Sequence, residues 1–439
     1  MTRTFAIAVL AAAALLPAAP ALAWDGSDPL LAQSAPPPTQ PTPAAVAPAA
    51  APAADVAAPV EPTAPPKRKP TFEIYGFAQV DYIQDFRRVR PDWDATLRPT
   101  RIPTVEGEYG ANGQAIFSAR QSRLGVRGSL PAGDYDLKAR IEFDFFGLGE
   151  GRPDAGGQNT IRLRQAYGEW GPLLGGLTAS LFMDDDFWPT IIDYWGPAGM
   201  VFYRNVQIRY TPISGKHTFA VAIERPATDL DPAGGPPGIA ASSLLPDLTA
   251  QYRVKGGWGY LQLSGILRWL GYDTPGAPGG QPKGSAVGWG LHASSTLELL
   301  PGKLKLLVAG VGGYGISYYM NDATPDLAFG NGATGPLAQA VPMVGASGYL
   351  DIYWSKLFSS AIGYSTVVMF DRGRQDPGAF KQGQYASANV LVTPVRNLVA
   401  GPEFLWGMRT NNDGATGYDL RLQISVKYSF SSLDFWRPG

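Results

Sequence analysis

The chain has 439 residues, 36 basic and 37 acidic side chains, a net charge of −1, two histidines and no cysteine. Near-neutrality excludes the electrostatic footprint of nucleic-acid binding, and the missing cysteines exclude thiolate metal sites, cysteine nucleophiles and disulfides. With only His217 and His292, a histidine-built metal or catalytic centre is improbable, and no cofactor motif is present.

In chain order, the first segment is "MTRTFAIAVLAAAALLPAAPALA". A positive Arg3, an apolar run over 5–16 and Ala21-Leu22-Ala23 read as a secretory signal peptide, residues 1–23. Residues 24–70 are Pro/Ala-rich with almost no aromatics, so they cannot bury enough surface to order themselves and read as a disordered periplasmic linker. Lys67-Arg68-Lys69 closes it, either as a solvated stretch or as a contact with anionic cell-wall polymer or head groups. No later stretch reaches the ~18–20 apolar residues of a membrane helix, so a membrane crossing requires strands.

From Thr71 the texture changes to alternating segments. "YDLKARIEFDFF" (135–146) places Asp136, Lys138, Arg140, Glu142 and Asp144 on one parity and Tyr135, Leu137, Ala139, Ile141 and Phe143 on the other. Strict alternation is a strand with unlike faces. "GYDLRLQISVKYSF" (417–430) repeats it. Compact turns at 130–135, 172–177, 213–218, 255–260, 300–304, 353–358 and 393–398 interleave with long loops around 87–114, 148–159, 187–203, 230–245, 274–285, 321–341, 372–383 and 411–416. That pattern predicts an all-β, transmembrane antiparallel barrel of sixteen strands over 71–430, with short periplasmic turns, long extracellular loops and roughly 22 residues per strand with its share of connections. Aromatics near apolar strand ends (Tyr135, Trp289, Tyr318, Trp354, Phe370, Tyr428) are expected as interfacial girdles. The last strand ends in Tyr428 and Phe430, resembling the signal read by barrel-assembly machinery, with residues 431–439 left as a short tail.

If the apolar parity meets lipid and lipopolysaccharide, the other lines a lumen. Its lining is basic over the second to fourth strands and beyond: Arg123, Arg127, Lys138, Arg140, Arg162, Arg164 and Arg209, partly neutralised by Glu142 and Asp144. Rings or ladders of arginine select anions at close range. Arg120 falls on the wrong parity and requires a bulge or a subunit interface. After strand five, "FMDDDFWPTIIDYWGPAGM" (182–200) is too apolar for a water-exposed loop. It is expected to fold inward as a constriction, with Asp184, Asp185 and Asp186 facing the basic wall and Trp188, Asp193 and Trp195 narrowing it. The alternative for the acidic triplet is a hard-cation site, although consecutive strand residues point to opposite faces.

"SARQSRLGVRGSL" (118–130), "RLRQAYGEW" (162–170) and "DYWGPAGMVFYRNVQIRYTP" (193–212) resemble the DcaP-like trimeric outer-membrane porins. The resemblance implies a sixteen-stranded homotrimer with an inward loop 3, for diffusion of small, preferably anionic solutes such as dicarboxylates. The leading function is therefore a passive channel without cofactor. A barrel enzyme or a structural tether and adhesin are the alternatives. His217 in a periplasmic turn and His292 on the lumen face suit lipid hydrolysis poorly.

Overall fold

The structure, a computed structural model, describes residues 68–147, 160–332 and 335–435. The segments expected as a signal peptide (1–23) and a linker (24–70, up to residue 67), the loop at 148–159 and the last four residues of the expected tail lie outside the described residues.

Sixteen antiparallel strands form one closed wall. They are β1 (Thr71–Asp85), β2 (Gln114–Ser118 continued by Arg123–Ala132), β3 (Tyr135–Gly147), β4 (Thr160–Trp170), β5 (Leu173–Ala179), β6 (Arg204–Ile213), β7 (His217–Glu224) and β8 (Ala240–Ser243 continued by Asp247–Gly256). The second half holds β9 (Gly259–Asp273), β10 (Gly284–Leu300), β11 (Leu304–Tyr314), β12 (Pro342–Tyr353), β13 (Phe358–Met369), β14 (Phe380–Asn389 continued by Leu391–Val395), β15 (Leu398–Asn411) and β16 (Thr416–Ser431). Each strand pairs with the next, and β16 returns to β1 with Tyr75 opposite Ser431 and Asp85 opposite Arg421. Closure removes the edges that lipid cannot hydrate.

The barrel is inside-out. On β3, Glu142 and Asp144 are fully buried, whereas Ile141 and Leu137 are each 47% exposed on the outer face. The same outward row continues in Ile161, Leu163, Val206, Ile208, Ile223 and Leu267. Six of the seven expected turns fall at strand junctions. At the expected 172–177 turn the chain instead reverses at Gly171-Pro172, and Gly175-Gly176 lies inside β5. Gly176 is needed there for packing: a Cβ would lie 2.3 Å from the Ala166 carbonyl oxygen, at a φ of +135°. Tyr318 is not a girdle residue, because it sits in a 3₁₀ turn of a loop and meets Tyr203 edge-on.

Two of the register irregularities change the parity of the basic residues. Residues 119–122 insert one extra position opposite β1, between the pairs Asp81–Ser118 and Phe77–Arg123. This bulge turns Arg120 inward, where it is 5% exposed and lies 4.5 Å from the Phe146 ring centroid. On β4 the register shifts between Leu163 and Gln165, so that Arg164 and Gln165 are both buried and Tyr167 and Glu169 continue the inner row.

Three long loops fold into the barrel, where one was expected. Residues 180–203 pack Phe182, Met183, Phe187, Met200 and Val201 against Val311, Met343, Tyr349 and Val367 of the wall. Residues 86–113 add Leu97 and Ile102 to that cluster. The segment 315–341, read from sequence as a polar loop, contains a hairpin of Leu327–Gly332 and Gly335–Ala340 beside Leu230–Asp231. Leu327 and Phe329 are buried against Leu270 and Tyr272 of β9, which explains its alternation. Gly199 lets the first of these loops touch the wall: its N–H donates to Ser365 Oγ at 2.8 Å, and a Cβ would lie 2.0 Å from the Thr366 carbonyl oxygen. Gly199→Ala is expected to cost about 1–3 kcal/mol and to raise protease sensitivity of the 180–203 segment, read by limited proteolysis of the folded barrel; wild-type cleavage kinetics would contradict this packing.

Candidate pore constriction

The alternation of β2, β3 and β4 projects charged side chains into the barrel at one level. Glu142 is the hub. Arg140 Nη2 donates to it at 2.8 Å and Arg164 Nε at 3.0 Å, while an Arg123 Nη1 lies 3.6 Å away. The Tyr75 hydroxyl donates to the same carboxylate at 2.9 Å. Asp144 accepts from Arg162 at 2.7 Å and Arg164 at 2.6 Å. Such buried charges persist only with paired, hydrogen-bonded partners, and this network meets that condition.

The remaining expected wall residues sit apart. Arg127 pairs with Glu73 at 2.6 Å nearer the periplasmic end. Lys138, with a 59% exposed side chain, lies 3.8 Å from Glu169 at the mouth. Arg209 donates to Gln207 at 3.0 Å and to the Ala179 carbonyl at 2.6 Å.

The inward loop places its acidic triplet differently from the sequence expectation. Asp184 and Asp186 both pair with Arg253 of β8, and Asp184 also accepts from Tyr260 at 2.8 Å and Ser294 at 2.6 Å. They anchor the loop to β8, away from the arginine cluster of β2 to β4. Only Asp185 lines the inner cavity with Arg123, Arg164 and Arg204. The physical reason is the turn at 183–187, which splays successive side chains apart. The same divergence argues against a shared hard-cation cradle, because two of the three carboxylates already hold a guanidinium.

The aromatic part of the loop is built into the wall. Trp188 packs on Phe202, with centroids 5.3 Å apart. Trp195 donates from Nε1 to the Asn321 carbonyl at 2.8 Å, and the Arg98 guanidinium sits 4.0 Å from its ring centroid. Tyr194 closes the contact with the basic wall. Its ring stacks on Phe146 at 3.7 Å, and its hydroxyl bonds Asp144 at 2.5 Å and Arg164 at 2.8 Å. Backbone donors complete the clamp: Thr190 N–H reaches Asp351 at 3.1 Å, and the Ile192 and Asp193 N–H groups both reach Glu403 at 2.9 Å.

Two cavities meet at this level. The outer one, about 1170 Å³, is lined on the basic side by Arg98, Arg101, Arg162 and Arg409 and elsewhere by Asp229 and Asp231. The inner one, about 80 Å³, lies among Gln79, Arg123, Asp185, Trp188 and Lys427. Arg164, Phe202 and Arg204 line both and stand at the junction between them. Sequence reasoning missed Arg204, since alternation aligns it with the outward Val206 and Ile208. At the strand start both Arg204 and Asn205 turn inward, and no periodic signal shows it. Tyr194 was visible as part of an apolar loop, but its pairing with Arg164 was not.

Asp193 is 2% exposed and accepts from Leu97 N–H at 3.2 Å, Gly196 N–H at 3.0 Å and the Tyr385 hydroxyl at 3.1 Å. Burial pushes its carboxyl up to about 6, against the pull of those donors. A folded-state value above the ordinary carboxylate range, about 3.9, makes its stabilising contribution complete below that range. The contribution is lost as pH rises through about 6. Asp193→Asn is expected to remove this component of the pH dependence of unfolding in guanidinium; a slope identical to wild type across that window would overturn the assignment.

The closed sixteen-strand wall, its apolar exterior and its inward-folded loops define an outer-membrane barrel of the porin type. A family model described as DcaP outer membrane protein matches residues 66–273, so this part of the chain is similar to that family. The outer membrane channel DcaP of Acinetobacter baumannii shares the fold with a TM-score of 0.71 at 21% identity, over 82% of this chain and 97% of that one. A loop-deleted OmpT of Vibrio cholerae aligns at a TM-score of 0.49 and 12% identity, over 82% of this chain and 99% of that one. OmpF of Salmonella typhi aligns at 0.48 and 10%, over 82% of this chain and 97% of that one. No curated protein matches the sequence.

Proposed function

We propose that the barrel is a water-filled channel for passive diffusion of small hydrophilic solutes, selective for anions such as dicarboxylates. The observation that carries this reading is the charge balance at the constriction. Arg123, Arg140, Arg162, Arg164 and Arg204 face Glu142, Asp144 and Asp185, a formal surplus of two positive charges. Near low-dielectric walls such a surplus attracts anions and repels cations over the width of a pore. The arginines of the outer cavity extend the field towards the extracellular side, so an entering anion meets positive charge before it reaches the narrow level.

The pairing with Glu142 and Asp144 supports the same reading. It fixes the guanidinium groups in place, so that their charge is held at one level of the lumen, as a filter requires. Reversal potentials across planar bilayers under a salt gradient test this. Wild-type channels are expected to favour chloride over potassium, and Arg164→Gln with Arg204→Gln to lower the permeability ratio several-fold; cation selectivity of the wild type would sink the proposal.

We further propose that the working unit is a homotrimer, as the DcaP-like resemblance implies. Light scattering of the detergent-solubilised full chain is expected to give three copies, and a monomer at all concentrations would refute it.

A further inference from the structure

The periplasmic end of the barrel carries a charge pattern that the channel does not use. Four of its seven turns present an exposed basic side chain: Lys216, Lys303, Lys356 and Arg396. One turn, between β2 and β3, is acidic through Asp134. That turn is capped by Arg68, whose guanidinium donates to the Gly133 and Asp134 carbonyls at 2.5 and 3.1 Å and to Asp136 at 3.1 Å. Arg396 pairs with Asp434 at 3.2 Å. Lys216, Lys303 and Lys356 make no ion pair among the described residues.

These lysines lie just beyond an outward aromatic band. Tyr135, Trp170, Tyr210, Tyr252, Trp354 and Tyr428 are each between 42% and 66% exposed near the same end. Exposed amphipathic rings on a barrel exterior mark the level of the lipid head groups. Lys356 follows Trp354 by two residues in the same tight turn, which keeps it beside that aromatic ring's level. Leu300 and Leu357, 54% and 40% exposed, place the Lys303 and Lys356 turns against the same boundary.

We propose that this rim binds the phosphodiester head groups of anionic phospholipid in the periplasmic leaflet, with Lys216, Lys303 and Lys356 as the contacts. The aromatic neighbours decide between partners. A soluble or cell-wall polyanion would be met by charges standing clear of the membrane, whereas these ammonium groups sit within reach of the bilayer surface. A basic side chain near an anionic bilayer shifts the equilibrium about fivefold, so three give a preference large enough to measure.

The test is association of spin-labelled phosphatidylglycerol against spin-labelled phosphatidylethanolamine with the full chain in mixed vesicles of the two lipids. The wild type is expected to prefer phosphatidylglycerol. Lys216→Gln, Lys303→Gln and Lys356→Gln together are expected to reduce that preference roughly tenfold or more, and the three Lys→Arg changes to retain it. Unchanged single-channel conductance of the glutamine variant reports that the barrel is folded. High salt on the wild type gives the same readout without any substitution. Equal association of both lipids with the wild type overturns the proposal. Lysine-dependent co-sedimentation with purified peptidoglycan, without a lipid preference, overturns it in favour of the cell wall.

Discussion

Everything in this molecule depends on closing the hydrogen-bond ladder between β1 and β16. In hydrocarbon each unsatisfied backbone group costs several kcal/mol, so a sheet exposed to lipid persists only as a ring. Closure then inverts the usual distribution of side chains. The apolar row of each strand becomes the exterior, and the polar row is enclosed in a space too narrow for every charge to keep its water. The buried arginines and carboxylates are a consequence of that enclosure, and they survive because β2, β3 and β4 bring opposite signs to one level.

The inward loops answer the same constraint from the other direction. A sixteen-stranded ring encloses more space than its own side chains fill, and the segments around 86–113, 180–203 and 315–341 occupy it. Their apolar residues pack on each other and on apolar wall side chains such as Val311, Met343, Tyr349 and Val367 of β11 to β13. Their backbone N–H groups are met by wall carboxylates, Asp351 and Glu403 on one side and Glu224 on another, where Leu181 N–H donates at 3.2 Å. Tyr194 then bridges loop and basic wall through a single hydroxyl. The width of the pore is therefore set by tertiary contacts, with the strand count only giving its outer limit.

The two ends of the barrel solve different problems. At the extracellular end, arginines turned into the lumen converge on a cavity of about 1170 Å³. At the periplasmic end, basic residues stand on the tips of turns, outside the lumen, next to aromatic side chains in the membrane boundary. Charge facing inward acts on solutes and charge facing outward acts on lipid, and the pleat of the strand sorts one from the other.

The sequence by itself determined the strand count, the hairpin ends, the orientation of faces and the basic character of β2 to β4, because period-two alternation and turn chemistry are local and repeat sixteen times. It placed Arg123, Arg140, Arg162 and Arg164 on one surface for the same reason. Only the tertiary structure decided where that rule fails. A bulge brings Arg120 inside, a register shift doubles Arg164 with Gln165, and a strand start turns Arg204 into the lumen. The acidic triplet also divided between walls, since Arg253 captured Asp184 and Asp186 and Asp185 remained at the inner cavity. The bulge and the register shift each depend on one extra residue in a ladder, and the division of the triplet on a partner more than sixty residues away. Neither leaves a trace in the periodicity of a single strand.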